Sequence, residues 1–374
     1  MNIIIIAAAL PPQLDGIGDY TACLAAELAR SASVTILTGA PTPDPIPGVR
    51  IETVFSADAP ASVQGIADYV KANPPDWVLL QYNPFSYGKW GLNLHLPETL
   101  RRLRRVSPGT RLAVMVHEPF VPIITPQFAV MATWQRWQLW RLGQAADVLF
   151  FSIDPWAKRF SKWFPGKSVH HLPVGSNIPL VPISRQEARE RLSISSDVVV
   201  LGLFGSMHIS RMLGHVRAAA QSVQDAGKNF ILLYVGPSKR AIYSALEGIP
   251  MIADGPFPSE EISRRFSAMD VHLTPFDDGI STRRGSVMCG LQHGIATVGT
   301  RNYNTDKVFW QASGEALLLA ATHDEAEYKA QVLRLLEQPE LRTDVAQGGQ
   351  RLYQENFTWE RITGSLLTSL EATL

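Results

Sequence analysis

The fold is decided by the stretch NIIIIAAALPPQLDGIGDYTACLAAELAR at residues 2–30, which joins an apolar strand to a helix through a glycine-containing loop. Residues 2–9 form a short run that is almost entirely apolar, as is typical of a strand covered on both faces of a parallel sheet. Residues 21–30 instead carry apolar side chains at helical spacing. The stretch therefore predicts the first strand–helix unit of an α/β domain.

The same alternation of strands and helices runs through the rest of the chain. Further strands are predicted at 33–39, 49–54, 76–83, 111–118, 147–152, 197–206, 230–236, 270–276 and 295–300, with helices between most of them. The alternation stops at 174–184, where two prolines and the loss of periodicity indicate a linker. We therefore expect two Rossmann-like αβ domains with parallel sheets, at 1–178 and 179–355, and a helical C-terminal segment.

Composition excludes several classes of function. The 374 residues are 46% hydrophobic, and 34 basic residues balance 34 acidic ones, so the chain lacks the basic field that nucleic-acid binding needs. Its two cysteines, Cys23 and Cys289, allow neither a disulfide framework nor a cysteine-based zinc site. No apolar run of 18 residues occurs, and residues 1–12 lack a basic region ahead of their apolar run. A reduced, soluble, cytoplasmic protein is expected.

Unusual residues follow the predicted strands, at the strand ends where open α/β sheets bind ligands. The four segments are DGIGDYT at 15–21, HEP at 117–119, GSMHISRM at 205–212 and DDGISTRRGS at 277–286. The last of these places Arg283 and Arg284 at the start of a helix, where the helix itself favours an anion. We therefore expect an external anion, a diphosphate, to bind at residues 281–286.

A nicotinamide site is not expected at the first glycine loop. Gly16 and Gly18 lack a third glycine, because Thr21 stands at its place, and no acid ends the second strand. The two glycines alone could simply make a tight turn. The chain also has no Asp-x-Asp pair after a strand, and its histidine-rich segments lack carboxylate partners. Metal-independent chemistry, with no cofactor, is therefore expected.

In their order and spacing, these segments resemble family 4 of the GT-B glycosyltransferases. The resemblance rests on DGIGDYT, VHE at 116–118, LGLFGS, LLYVG, MDVHLTPF, CGLQHGIATVGT and FTWERI at 357–362. It implies two αβ domains facing a central cleft, with the N-terminal domain on the acceptor side and the C-terminal domain binding the nucleotide-sugar. It further implies a C-terminal helix at 356–374 that crosses back to the N-terminal domain. It also implies retaining transfer of a sugar, glucose or a similar hexose, from a UDP-sugar to a saccharide or lipid-linked acceptor of cell-surface polysaccharide or glycolipid synthesis.

The resemblance also assigns site residues, and the sequence departs from the family pattern at some of them. Catalytic roles fall on His117, Asp278 and Asp19; donor-binding roles fall on Gly16, Gly18, Gly205, Ser206, Arg211, Gly236, Phe257, Ser281, Arg283, Arg284, Gly285 and Ser286. The two family glutamates are missing, because one count of spacing puts Ser281 and Cys289 at their positions. Asp277 or Asp278 could replace the first, and we expect Cys289→Glu to be tolerated. We assign Asp278 to the sugar hydroxyls.

These assignments have simpler alternatives. His117 could be a hydrogen-bonded residue at a strand end, and Arg211 could be a solvated helix residue. Arg283 and Arg284 could pair with Asp277 and Asp278, although we would then expect only one of them to be used. A GT-B-type sugar-nucleotide epimerase would need acid/base carboxylates, for which Asp19, Glu118 and Asp278 are candidates. A non-catalytic binding protein of two αβ domains is the third class.

Three segments mix aromatic and basic residues, as membrane-interface segments do. They are RRLRR at 101–105, the helix around Trp134, Trp137 and Arg141, and WAKRFSKWFPGK at 156–167. The alternative is that these tryptophans belong to the core of the N-terminal domain. We therefore expect peripheral contact of the protein with the inner face of the membrane.

Overall fold

A computed structural model describes residues 1–56 and 58–373. The chain folds into two compact units, of which the first comprises residues 1–173 with 359–374 and the second comprises residues 174–358. Each unit has its own parallel sheet and its own hydrophobic core. The α/β fold of two Rossmann-like units expected from the sequence is confirmed.

The first unit is built on a seven-stranded parallel sheet in the order β3-β2-β1-β4-β5-β6-β7. Its strands are β1 (Asn2–Ala7), β2 (Ser33–Thr38), β3 (Val49–Thr53), β4 (Trp77–Tyr82), β5 (Arg111–Val116), β6 (Val148–Phe151) and β7 (Ser168–His171). Its first helices are α1 (Gly16–Leu28), α2 (Gly65–Ala72), α3 (His95–Val106), α4 (Pro126–Ala145) and α5 (Asp154–Ser161). The strand order reverses between β1 and β4, so their carboxyl ends flank the crevice where such sheets bind ligands.

The second unit repeats this plan with six parallel strands in the order β10-β9-β8-β11-β12-β13. They are β8 (Val199–Phe204), β9 (Phe230–Val235), β10 (Met251–Asp254), β11 (Val271–Thr274), β12 (Ala296–Arg301) and β13 (Leu318–Ala321). The helices are α6 (Arg185–Glu190), α7 (Leu213–Asp225), α8 (Lys239–Ala245), α9 (Ser259–Phe266), α10 (Gly285–Gln292), α11 (Lys307–Gln311), α12 (Glu325–Glu337) and α13 (Pro339–Asn356). The order reverses between β8 and β11, which makes their carboxyl ends the second crevice.

The last helix, α14 (Trp359–Glu371), belongs to the first unit, as the sequence predicted for the C-terminal helix. It contacts α1, where the Trp359 and Tyr20 rings meet edge to face with centroids 5.3 Å apart. Its apolar side chains Ile362, Leu366 and Leu370 are buried at helical spacing. No helix in residues 1–56 and 58–373 is long and apolar enough to cross a membrane.

Candidate functional site

The carboxyl end of β11 leads through a turn into α10, and this turn carries the predicted arginine pair. Arg284 is the N-cap of α10 with φ −92° and ψ 92°, and no side chain caps the helix start. The first turn, from Gly285, contains no acid. The N–H groups of the first turn of α10 therefore keep the partial positive charge that attracts anions.

Asp278 binds both arginines of the turn. Arg283 Nη2 donates to Asp278 Oδ2 at 2.6 Å, and Arg284 Nη2 donates to Oδ1 at 2.8 Å. Asn304 Nδ2 adds a third hydrogen bond, to Oδ2 at 3.0 Å. Burial opposes ionisation of Asp278, but Arg284 and Arg283 outweigh it and lower the pKa of the carboxyl to about 2. The expectation that only one arginine would pair with a neighbouring acid is therefore wrong.

A third cation, Arg211, pairs with Phe276 at the start of this turn. Its guanidinium lies 5.0 Å from the centre of the Phe276 ring, and the Arg284 guanidinium lies 4.1 Å from the same ring. Arg211 is 9% exposed and Nη2 donates to the Phe204 carbonyl at 2.8 Å. Burial lowers the pKa of Arg211 to about 10, so it stays protonated at neutral pH. It is not the solvated helix residue of the alternative interpretation.

Arg211 keeps two donors without partners. Its Nε and Nη1 atoms are buried and have no hydrogen-bond partner in the described residues. Buried donors are almost always satisfied in native proteins, and a guanidinium presents its donors in a fixed fork that matches phosphate oxygens. Two unsatisfied donors on a buried cation therefore indicate that a ligand or solvent completes this site.

The loop after β8 lies against the same cation. Gly205 has φ +104°, and a Cβ built on it would lie 3.4 Å from Arg211 Nη2 and 3.9 Å from Ser286 Cβ. A Cβ on Gly236 would lie 2.6 Å from the Gly205 carbonyl oxygen, so close packing requires glycine at 236, whereas the positive φ favours glycine at 205. Gly205, Arg211, Gly236 and Ser286, all assigned to the donor site from the sequence, thus lie close together.

The other residues predicted for the donor site are spread around this centre. Ser281 is fully buried, and its hydroxyl has no partner in the described residues. Ser206 is exposed, in the loop after Gly205. Phe257 lies in the segment after β10, where the Arg265 guanidinium covers its ring at 3.9 Å. That face of Phe257 is therefore already occupied.

Cys289 lies on the core side of α10. Its side chain is fully buried among Ile178, Phe266 and Met269, and burial raises the pKa of the thiol. His293 Nδ1 lies 3.6 Å from the sulfur, but burial lowers the pKa of this imidazole to about 4, so a carboxylate at position 289 would lose its hydration beside a neutral ring. We therefore predict, contrary to the expectation from the sequence, that Cys289→Glu destabilises the chain.

The first unit places His117 at the end of β5, buried and hydrogen-bonded. Nε2 lies 2.8 Å from Gln81 Oε1, which can only accept, so Nε2 carries the proton. Burial lowers the pKa of His117 to about 3, so the imidazole is neutral at physiological pH. Tyr20 packs edge to face against it at 4.8 Å. The Tyr20 hydroxyl and Gln81 Nε2 are buried without hydrogen-bond partners in the described residues. Two unsatisfied polar groups therefore lie beside His117.

The first glycine segment is helical rather than a loop. Gly16 opens α1, and Asp15 caps it by accepting from Ile17 N at 3.0 Å and Gly18 N at 2.7 Å. The expected donation from the Gly18 N–H to a diphosphate is therefore not supported, because that N–H is already bonded. Gly18 is required instead by packing, since a Cβ on it would lie 3.0 Å from the Ala9 carbonyl oxygen. Asp19 lies in the first turn of α1, and its N–H donates to the Asp15 carbonyl.

Two residues that the sequence did not predict complete the arginine site. Asn304 follows β12, and Ser210 Oγ accepts from Arg284 Nη2 at 2.9 Å. Both lie after strands of the second unit, so the rule that ligand residues follow strands could have found them. Of the described residues, no group of three or more histidine, cysteine or acidic side chains is placed to hold a metal ion.

An apolar surface of the first unit joins α4 to the turn before α3. Its exposed members are Trp90, Leu94, Ile123, Ile124, Val130, Trp137 and Trp140. Trp134 Nε1 and Gln135 Nε2 both donate to the Trp90 carbonyl and hold Trp90 at φ +59°. This conformation is costly for a residue other than glycine. The strained backbone nevertheless presents Trp90 at the surface, where the residue is 56% exposed.

In the other two segments that suggested a membrane surface, the arginines form ion pairs and the tryptophans pack against the core. All four arginines of residues 101–105 pair with acids: Arg101 and Arg105 with Glu98, Arg102 with Asp68 and Arg104 with Asp147. Trp156 and Trp163 pack against the core of the first unit. Of the three segments, only the helix that carries Trp137 and Arg141 contributes exposed aromatic residues.

The fold is similar to that of several glycosyltransferases of known structure. Sucrose-phosphate synthase from Thermosynechococcus elongatus superposes with a TM-score of 0.74 at 15% identity, covering 100% of both chains. HepE of Anabaena, in complex with UDP and glucose, gives a TM-score of 0.69 at 13% identity, again over 100% of both. WaaG, a glycosyltransferase involved in lipopolysaccharide biosynthesis, gives 0.66 at 15% identity over 97% of this chain and 98% of its own.

No protein-family profile and no curated protein matches the chain in sequence. At these low identities the likeness concerns the fold alone. Two parallel sheets with flanking helices, matched over full length by these structures, give this chain the two-domain α/β fold of the GT-B glycosyltransferases.

Proposed function

We propose that this chain is a glycosyltransferase that takes a hexose, glucose or a similar sugar, from a UDP-sugar. The observation that carries the proposal is Arg211, a buried cation with two unpartnered donors next to the uncapped start of α10. A diphosphate would accept from both groups. The choice of UDP and a hexose is supported by the HepE structures, which hold UDP, glucose and UDP-glucose.

The charges of the site suit a leaving diphosphate. Arg211, Arg283 and Arg284 provide three positive charges, against the buried Asp278 and the exposed Asp277. Breaking a glycosyl–phosphate bond develops negative charge on the diphosphate, which fixed cations and the helix N–H groups stabilise. Cations of this kind do the work of a metal ion, and we accordingly propose metal-independent transfer.

Asp278 acts in this proposal by holding the arginines rather than by contacting the sugar. Its two oxygens are occupied by Arg283, Arg284 and Asn304. Preorganised cations stabilise a developing charge without moving during the reaction, which makes the carboxylate useful although it partly offsets their charge. This replaces the assignment of Asp278 to the sugar hydroxyls.

His117 would contact the donor sugar as a neutral group. With Nε2–H bonded to Gln81, Nδ1 carries the lone pair and can accept from a sugar hydroxyl. A neutral imidazole adds no charge beside the oxocarbenium-like sugar. We further propose that the anomeric configuration is retained, with the leaving phosphate taking the acceptor proton, so no protein base is required.

Calorimetry of UDP binding tests the proposed donor site. Arg284→Ala and Arg283→Ala should each weaken UDP binding by about tenfold or more, because each removes a charge-assisted contact. Arg351→Ala removes an equal charge from an exposed position on α13 and serves as the control. Unchanged UDP affinity in both site variants would overturn the proposal.

Turnover separates this function from its alternatives. A transferase releases UDP from UDP-glucose faster when an acceptor is added, an epimerase interconverts the donor without acceptor, and a binding protein does neither. The epimerase is disfavoured because Asp278, one of its candidate acid/base groups, is an ionised partner of two arginines.

We also propose that the apolar surface of the first unit contacts a membrane carrying anionic lipids, so the acceptor is lipid-linked or lies at that membrane. Residues 77–97 and 119–146, which contain that surface, include no acidic residue but carry Lys89, Arg136 and Arg141. Exposed tryptophans with cations beside them suit the headgroup region. A membrane-associated role in cell-surface polysaccharide or glycolipid synthesis, at the cytoplasmic face, is consistent with this chemistry.

A further inference from the structure

We infer that a cavity at the carboxyl ends of β1–β4, in the unit that the resemblance places on the acceptor side, takes an uncharged acceptor sugar and rejects a phosphorylated or acidic one. This inference rests on the proposed function, because it names the class of acceptor. The cavity has a volume of about 590 Å³ and lies wholly within residues 8–86. That size is typical of sites for small ligands, and its position spans the β1–β4 reversal of strand order.

The walls of the cavity combine rings with polar groups. Phe85 is 48% exposed and presents a ring, and Phe55 contributes a second, mostly buried one. Ser56, Ser86 and Gln13 add hydroxyl and amide groups. A pyranose has an apolar C–H face and an equatorial rim of hydroxyls, so rings beside hydrogen-bonding groups suit it.

The charges of the cavity decide what kind of sugar fits. Asp15 and Asp58 line it, and its described lining includes no lysine, arginine or histidine. Asp15 uses Oδ1 to cap α1, while Oδ2 has no partner among the described residues and can accept from a hydroxyl. A phosphate or carboxylate on the ligand would meet two like charges and no cation.

The two units therefore carry opposite charge at equivalent strand ends. The donor site has three arginines around a single buried carboxylate, whereas the β1–β4 cavity has two carboxylates and no lining cation. A diphosphate is attracted to the first, and an uncharged polyol is the ligand that the second can satisfy without repulsion. The cavity would thus exclude the sugar phosphates.

Saturation-transfer NMR on the full chain, with UDP added to occupy the arginine site, tests this inference. The probes are methyl glucoside and methyl galactoside, compared with glucose 6-phosphate and galactose 6-phosphate. The neutral glycosides should bind at least about tenfold more tightly. Asp58→Lys should reduce or reverse this preference, whereas Asp225→Lys, which changes the net charge equally at an exposed position outside the cavity, should leave it unchanged.

Three outcomes overturn the inference: sugar phosphates that bind the native chain as well as the neutral glycosides, a preference that Asp58→Lys does not alter, and no binding of either class. Calorimetry of UDP alone reports separately on the proposed function. Absent UDP binding contradicts the transferase, while a preference for neutral sugars that depends on Asp58 would still establish the cavity.

Discussion

Asp278 is the residue on which the geometry of the arginine pair depends. Its side chain is 7% exposed, and the two arginine side chains are 12% and 10% exposed. Removing one partner of a buried ion pair leaves uncompensated charge, at a typical cost of about 3–5 kcal/mol. Here two guanidiniums would lose their carboxylate at once. The stability of the turn and the preorganisation of the donor site therefore depend on the same carboxylate.

Asp278→Asn should lower the free energy of unfolding at pH 7 by about 2 kcal/mol or more. The folded-state pKa of about 2 lies below the ordinary value of 3.8, so the ionised carboxylate stabilises the fold above pH 4. This contribution is lost as the pH falls from 4 to 2. Urea unfolding at pH 7, 4 and 3 should show a steeper loss of stability in the native chain than in the variant.

Asp225→Asn is the matched control, because Asp225 is exposed at the end of α7. It should leave both the stability and its pH dependence unchanged. Equal unfolding curves for native chain and Asp278→Asn would contradict the role of the carboxylate.

The sequence predicted part of the site at the level of single residues. Arg283 and Arg284 could be recognised because cations at a helix start are locally anomalous. Ser210 and Asn304 could be placed after strands but not linked to the arginines, and Ser210 reaches Arg284 only because the loop at 205–212 pairs with the segment after β11. That pairing is a tertiary bridge between Arg211 and Phe276, for which the local sequence carries no signal.

At the level of elements, every inner strand of the two sheets was predicted, whereas three of the four edge strands were not. β1, β4, β5 and β8 are buried on both faces and read as continuous apolar runs. β7, β10 and β13 were missed. β7, with sequence SVHH, is a half-exposed edge strand, and β7 and β10 have only four residues each. Such strands are set by pairing with a neighbour, which a sequence pattern does not record.

Helix α10 buries Cys289 on its core side, and the size and charge tolerated there can be tested. Cys289→Glu should destabilise the chain by several kcal/mol, because the carboxylate would be buried beside the neutral His293 ring and the Ser176 hydroxyl rather than beside a cation. Cys289→Ala, which creates a small cavity without a charge, should cost only about 1 kcal/mol. Thermal unfolding of both variants at pH 7 gives the comparison. A glutamate variant as stable as the alanine variant would show that position 289 reaches solvent or a cation.

For the whole molecule, the net charge of zero does not reflect an uneven distribution of acidic residues. The chain is neutral overall, yet the apolar surface of the first unit lies on two segments without acids. We predict that the protein binds vesicles containing phosphatidylglycerol and releases them as salt rises, because screening weakens exposed charges. Co-sedimentation measures both effects. Binding to purely zwitterionic vesicles should be much weaker.

Paired variants locate the contact. Trp90→Ser combined with Ile124→Ser should reduce vesicle binding by about tenfold or more, since two exposed apolar side chains leave the interface. Trp310→Ser removes an indole that is 49% exposed on the second unit and should have no effect. Equal binding by all three proteins would remove the membrane from the proposed function.

The return of α14 to the first unit has a consequence for how the chain is made. Residues 174–358 form a continuous unit, whereas the first unit is interrupted and receives Trp359–Glu371 last. During synthesis from the N-terminus, the second unit can therefore finish folding before α14 has been made and can pack on α1. Until residues 359–371 have left the ribosome, the surface of α1 around Tyr20 stays uncovered by Trp359 and exposes apolar side chains to other chains.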